Sequence, residues 1–348
     1  MSKVSSVPSP NATIGNDRRM RVERAMTGEG TGGRLLRRTR RRRPVCHDGD
    51  SRRVRGMTDR PVAEPYGDRR MNVVLRGVRG SLPSPRPETA RYGGNTSCVE
   101  VRAEPGCLCV LDAGTGIRAL DGKAGELRRV DVLLSHLHMD HILGLGFFRP
   151  LYQPGLEVHI WGPASATQPL HGRLTRYLSP PLFPVRLRDL PCRLELHDAP
   201  RGPFELPGLS VTADLVCHPG PTLGYRLEGE GGGVLTYISD HEPALGNGAV
   251  DGPEGWTSGY DLAKGADFLI HDAQYTDEEY PSHIGWGHSA ISHAMAFAKL
   301  TGVGCLIPFH HDPDHEDQAL DAIYATAGRD WNFDIAPARE RTEFTVGR

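Results

Sequence analysis

Val130-Asp131-Val132-Leu133-Leu134-Ser135-His136-Leu137-His138-Met139-Asp140-His141 runs from an apolar segment straight into three imidazoles and a carboxylate. The aliphatic half predicts a buried strand. Where such a strand ends, the chain leaves the sheet and its side chains can converge. His136, His138, Asp140 and His141 lie within six residues at that exit. Imidazole and carboxylate are the donors that borderline divalent metals prefer. Taken alone, the stretch could still be a histidine-rich surface turn.

Three more candidates stand at the ends of later apolar runs. His218 follows 211–217, Asp240 follows 234–239, and His310 follows 305–309. Strand ends on one edge of an α/β sheet open into a shared crevice, where such folds place ligands. With the first four these make seven ligands, enough for two metal ions if the Asp240 carboxylate bridges them. His311 adjoins His310, so the last position can slip by one.

The rest of the chain fits a layered α/β domain. Strands are expected at 72–76, 97–102, 107–112, 130–134, 156–161, 209–217, 223–227, 234–238, 268–270 and 304–309, with helices at 165–178, 289–300 and 316–327. Many strands with interspersed helices favour layers over a bundle. The first 70 residues differ in kind: they hold 18 of the 41 Lys+Arg and 8 of the 43 Asp+Glu, about +10, whereas residues 71–348 carry 23 against 35, or −12. The basic piece, with Arg37-Arg38-Thr39-Arg40-Arg41-Arg42-Arg43, has no apolar period and is read as a disordered extension, or as sequence ahead of a true start at Met57 or Met71. Residues 71–348 are the expected folded domain.

Seven cysteines without a Cys-x-x-Cys pair suit a reducing cytoplasm. Cys107 and Cys109 read as ordinary strand residues. No apolar run is long enough to span a membrane.

The motif His136-Leu137-His138-Met139-Asp140-His141 resembles the His-x-His-x-Asp-His signature of the metallo-β-lactamase superfamily. His218-Pro219-Gly220-Pro221-Thr222-Leu223-Gly224-Tyr225-Arg226 and Tyr237-Ile238-Ser239-Asp240 are similar to its phosphodiesterase branch, which includes tRNA 3′-end endonucleases and cyclic-phosphate phosphodiesterases. The likeness spans residues 71 to about 315, beginning at Gly77-Val78-Arg79-Gly80-Ser81 and Gly93-Gly94-Asn95-Thr96-Ser97. It implies an αββα four-layer sandwich with metals at one edge. Carried over, it makes His136, His138 and His218 ligands of one ion and Asp140, His141 and His310 ligands of the other, with Asp240 bridging; Asp112 would support the metal loop. Gly285-Trp286-Gly287-His288-Ser289 resembles the segment that supplies a general acid in the tRNA-processing members, so Asp140 and His288 are the expected catalytic residues. As a helix-start residue, His288 could instead be structural.

The expected activity is hydrolysis of a small phosphodiester, such as a cyclic nucleotide or cyclic phosphate, by a hydroxide generated between two divalent ions, zinc with Mn²⁺ or Fe²⁺ as other candidates. A tRNA 3′-end ribonuclease and a thioester hydrolase share these ligands. A nucleic-acid-binding protein acting through the arginine-rich tail is the reading from a different class. Homodimers are common among the look-alikes. Arg79 and Arg226 are candidates for phosphate contact, and Trp286 and Tyr275 for base stacking. Asp272 is expected to orient a ligand histidine, with His271 beside the crevice. His241, His283, His293 and His315 are read as surface or supporting residues.

Overall fold

The computed structural model describes residues 70–120, 126–246, 248–327 and 333–347. The expected extension at 1–70 falls outside them except for its last residue. Six strands lead the chain: β1 (Met71–Gly77), β2 (Cys98–Arg102), β3 (Cys107–Leu111), β4 (Arg129–Leu133), β5 (Glu157–Gly162) and β6 (Arg193–Asp198). Eight follow: β7 (Gly202–Leu206), β8 (Leu209–Leu215), β9 (Leu223–Gly229), β10 (Val234–Ile238), β11 (Phe268–Asp272), β12 (Cys305–Phe309), β13 (Asp334–Ile335) and β14 (Glu343–Val346). The helices are α1 (Met139–Ile142), α2 (Leu170–Tyr177), α3 (Tyr260–Ala263), α4 (Ile291–Thr301) and α5 (Asp317–Ala327).

The strands form two seven-stranded sheets, ordered β14-β1-β2-β3-β4-β5-β6 and β13-β12-β11-β10-β9-β8-β7. Each is mixed. Strands β3 to β6 run parallel, as do β10 to β13, and the remaining pairs are antiparallel. The layers follow from residues that are apolar on both faces of the central strands. Val73, Val99, Val101, Leu111 and Leu133 of the first sheet share one core with Val211, Tyr225, Leu227, Leu235 and Ile270 of the second. On the outer face of the first sheet, Val110, Val132, Val158 and Ile160 pack with Leu170 and Leu174 of α2. On that of the second, Ile238, Leu269 and Leu306 pack with Leu262 of α3 and Ala294, Phe297 and Ala298 of α4. The result is the expected αββα sandwich.

Five cysteines, Cys98, Cys107, Cys109, Cys192 and Cys217, are free thiols. Among the described residues no helix is long and apolar enough to cross a membrane.

Candidate metal centre

Strand β4 ends at Leu133, and the next five residues turn into the short helix α1. Asp112, just past β3, holds this turn. It is fully buried with φ of 59°. Its Oδ1 accepts the Ser135 backbone N–H at 2.7 Å, and its Oδ2 accepts the Ser135 and Tyr237 hydroxyls at 2.8 and 2.7 Å. The same Oδ2 lies 2.8 Å from His141 Nδ1. A carboxylate there can only accept, so Nδ1 carries the proton and Nε2 keeps a lone pair for the site.

That pattern recurs around the cluster. His218 Nδ1 donates to the Gly287 carbonyl at 2.8 Å, and His310 Nδ1 to Gln274 Oε1 at 3.0 Å. His136 Nδ1 is 3.0 Å from the Ser135 hydroxyl. In each case the second ring nitrogen faces inward. His136, His138 and His218 bring their donor atoms together in one group, and Asp140, His141, Asp240 and His310 in another, all within 4.8 Å of one another in each group. Asp240 stands between them: its Oδ1 is 3.2 Å from His141 Nε2, while its Oδ2 lies 3.4, 3.8 and 3.9 Å from the Nε2 atoms of His310, His136 and His218.

These residues fit a pair of cations. His136 Nε2, His141 Nε2 and Asp240 Oδ1 are buried without a hydrogen-bond partner, and both ring nitrogens lie within 3.8 Å of the Asp240 carboxylate. Orphaned buried polar atoms are costly, and a pair of cations would supply the missing partners. On His141 burial opposes protonation, but Asp140, Asp240 and Asp112 outweigh it and raise the imidazole well above the ordinary range, so a bound cation would take the place of its Nε2 proton. The other groups already carry the charge that ligands need. Burial above all holds His136, His138 and His218 below the ordinary histidine range, keeping them neutral as ligands must be. Burial likewise disfavours charge on Asp140 and Asp240, but the adjoining imidazoles outweigh it and hold both carboxyls well below their usual range.

His310, not His311, faces this cluster. His311 turns the other way, with Nε2 2.8 Å from the Ala338 carbonyl and Nδ1 3.1 Å from the Tyr324 hydroxyl. His310 achieves its direction with a φ of 60°, and Gly80 packs so closely on its ring that no side chain fits there.

His288 sits beside both groups, its ring stacked on His310 at 4.9 Å and edge-on to His218 at 5.1 Å. Its Nδ1 is 2.7 Å from Asp272 Oδ2. Burial opposes its protonation, but Asp272 prevails and raises it to about 9.

Several expectations need correction. Asp272 orients His288, not one of the seven converging groups, and also accepts the backbone N–H of His241, Gln274 and Ser289. His271 does not line the crevice: it is buried against Phe297 of α4, with Nε2 2.9 Å from His241 Nδ1. His241 is therefore a core residue. Arg79 is fully buried and donates to the carbonyls of Gly93, Asp312 and His315; Arg226 donates to Glu228 and to the carbonyls of Leu262 and Lys264. Both are structural ties. Tyr275 is buried, whereas Trp286 is 61% exposed, edge-on to His283.

Gln274, in the segment expected at the crevice, fixes His310. One supporting residue had no place in the sequence reading. Glu242 accepts the backbone N–H of Gly285 and Gly287 at 2.8 Å and the Tyr280 hydroxyl at 2.9 Å, holding the turn whose Gly287 carbonyl fixes His218. Its place two residues after Asp240 was the available signal.

A family model described as a Beta-lactamase superfamily domain matches residues 109–311. A ribonuclease Z of Mycobacterium bovis is 28% identical over 263 residues, covering 70% of this chain and 86% of that protein. Among solved structures, the short form of human tRNase Z is similar with a TM-score of 0.54 at 21% identity, covering 80% of this chain and all of the other. Zn²⁺-bound PqqB from Methylobacterium extorquens gives 0.57 at 18% identity, covering 78% and 99%. With its αββα layers, its converging His/Asp donors and this match over more than half its length, the chain belongs to the metallo-β-lactamase superfamily of metal-dependent hydrolases.

Proposed function

We propose that residues 71–348 form a binuclear phosphodiesterase acting on a small phosphodiester, a cyclic nucleotide or cyclic ribose phosphate, with zinc at His136, His138 and His218 and at Asp140, His141 and His310, bridged by Asp240. The single observation that carries the reading is the Asp272–His288 pair. Its carboxylate holds a protonated imidazole beside His218 and His310. A phosphodiester needs such a donor, because its leaving alkoxide is a poor leaving group until protonated.

When bound, two such ions would lower the pKa of a water toward neutrality and offset charge on the phosphoryl oxygens. The chain's residues do the rest. Asp112, Gln274 and the Gly287 carbonyl fix the tautomers of His141, His310 and His218, so no rearrangement is needed as charge develops. Asp140 is itself held by the Ser81 backbone N–H at 2.8 Å. His288 delivers its proton from Nε2 to the departing oxygen while Asp272 retains its hold on Nδ1. The exposed Trp286 ring, two residues before His288, offers a flat face for a nucleobase.

The net charge of −12 over residues 71–348 favours a small anion over a polyanion. A cytoplasmic setting belongs to this reading, on the five free thiols. The likeness to a ribonuclease Z favours a second reading, an RNA 3′-end endonuclease. Purified protein loaded with Zn²⁺ and assayed on bis(p-nitrophenyl) phosphate, 2′,3′- and 3′,5′-cyclic nucleotides and a precursor tRNA tests both. Turnover of cyclic nucleotides that fails in His138→Ala and Asp240→Ala supports the proposal; cleavage of the tRNA alone supports the second reading, and no phosphodiester hydrolysis refutes both.

A further inference from the structure

A second set of metal-binding side chains lies on the first sheet and shares no residue with the seven described above. His159 of β5 pairs in register with Glu195 of β6, and Trp161 with His197. Successive same-face positions of a strand are two residues apart, so His159, Glu195 and His197 all project from one face. Their donor atoms converge. His159 Nδ1 lies 2.8 Å from His197 Nε2 and 3.7 Å from Glu195 Oε2, and His197 Nε2 is 3.8 Å from the same oxygen.

The surroundings prepare this triangle for a cation. His159 is almost wholly buried, and its Nε2 donates to Glu157 Oε1 at 2.7 Å. This carboxylate can only accept, so Nε2 carries the proton and Nδ1 presents a lone pair to His197. The hydrogen bond from His159 is also the main influence holding the Glu157 carboxyl below its usual range. Burial, and then the neighbouring His159, keep His197 below the ordinary histidine range and hence neutral. Its ring is stacked on Trp161 at 4.0 Å, and Trp161 is anchored by its indole N–H to Asp131 Oδ1 at 3.0 Å. The pair of imidazoles is thus held from both sides, while Glu195 remains largely exposed, 61% by its side chain, and leaves a path for an ion.

We propose that His159 Nδ1, His197 Nε2 and Glu195 Oε2 form a separate site for one borderline divalent cation, Zn²⁺ or Ni²⁺, that ties the edge strand β6 to β5. Bond lengths of about 2.0–2.1 Å in a tetrahedral shell place two donors about 3.3 Å apart, which the separations of 2.8 to 3.8 Å bracket. Two imidazoles and one carboxylate select borderline ions over Mg²⁺ or Ca²⁺. Strand β6 has no neighbour beyond it among the described residues, so a cross-strand ion secures an edge that hydrogen bonds hold on one side only.

The test uses the full chain, dialysed against micromolar free Zn²⁺ and then analysed for bound metal. Wild type should retain one more zinc per chain than His197→Ala, and Glu195→Gln should bind that ion at least tenfold more weakly. His138→Ala should still hold it, which separates this site from the catalytic centre. Added Ni²⁺ should quench a fluorescence component that disappears in Trp161→Phe and in His197→Ala. Equal zinc content in wild type, His197→Ala and the surface variant Glu195→Gln, or Ni²⁺ quenching that survives Trp161→Phe, would overturn the proposal and leave the imidazoles as a hydrogen-bonded pair.

Discussion

Asp112 Oδ2 accepts the Nδ1–H of His141 at 2.8 Å, across 29 residues of sequence, while its Oδ1 takes the Ser135 backbone N–H. One buried carboxylate therefore sets both the path of the histidine-rich turn and the tautomer of the imidazole at its end. Asp112→Asn keeps the shape but offers a donor in place of one acceptor, so His141 loses its fixed tautomer. Zinc affinity should fall by about 10- to 100-fold, as it does when such outer partners are lost. Competition with a fluorescent chelator measures this, and unchanged affinity would remove Asp112 from the design.

His288→Ala should retain both metals and lose about 10²- to 10⁴-fold in turnover of substrates with alkoxide leaving groups. The loss should be far smaller for bis(p-nitrophenyl) phosphate, whose leaving group departs without a proton. Asp272→Asn should follow the same pattern in weaker form, since it disturbs His288 and not the inward nitrogens. Metal analysis with paired kinetics on the two substrate types decides it: equal losses on both would argue that His288 is structural.

Most of this cluster of donors was legible in the sequence, because its residues stand at the ends of apolar runs and apolar runs are what sequence shows best. The four strands that went unread are β6, β7, β13 and β14, and all four are sheet edges. An edge strand is not sealed on both sides, so it tolerates Arg193-Leu194-Glu195-Leu196-His197-Asp198 and even Pro203, and its composition drifts toward that of a loop. The roles of Asp272 and His271 were misread for a related reason. Adjacent residues of a strand point to opposite faces, and His271 goes under α4 while Asp272 reaches the site. Glu242 and Gln274 act through backbone and side-chain contacts that no spacing rule encodes.

Gly287 adopts a φ of 91°, and a Cβ there would collide with the His218 ring. Gly287→Ala should cost on the order of 1 kcal/mol or more in stability from the backbone alone. It should also displace His218, weakening the ion held by His136, His138 and His218 while sparing the other. Stepwise metal titration followed by thermal melting would show one lost binding step; two intact steps would mean that the turn yields without moving His218.

Trp286→Ala separates nucleotide substrates from others. If the exposed indole stacks on a base, truncation should forfeit about 1–3 kcal/mol of binding, seen as a raised KM for cyclic nucleotides with kcat little changed. The same variant should hydrolyse bis(p-nitrophenyl) phosphate at the wild-type rate if its neighbours hold their places. An unchanged KM for cyclic nucleotides would assign the ring to some other surface role.

Removing the ions should lower stability as well as stop turnover. Without them His136 Nε2, His141 Nε2 and Asp240 Oδ1 have no partner, and buried carboxylates are left close together. Anything that binds only the folded chain stabilises it by mass action, about 2.7 kcal/mol for one ion at a hundred times its dissociation constant. Chelation should therefore lower the melting temperature, and readdition of Zn²⁺ should restore it in a concentration-dependent way. Asp240→Ala removes the shared ligand, so its melting temperature should respond far less to either treatment. A chelator-insensitive wild type that remains active would show that these side chains satisfy one another without a metal.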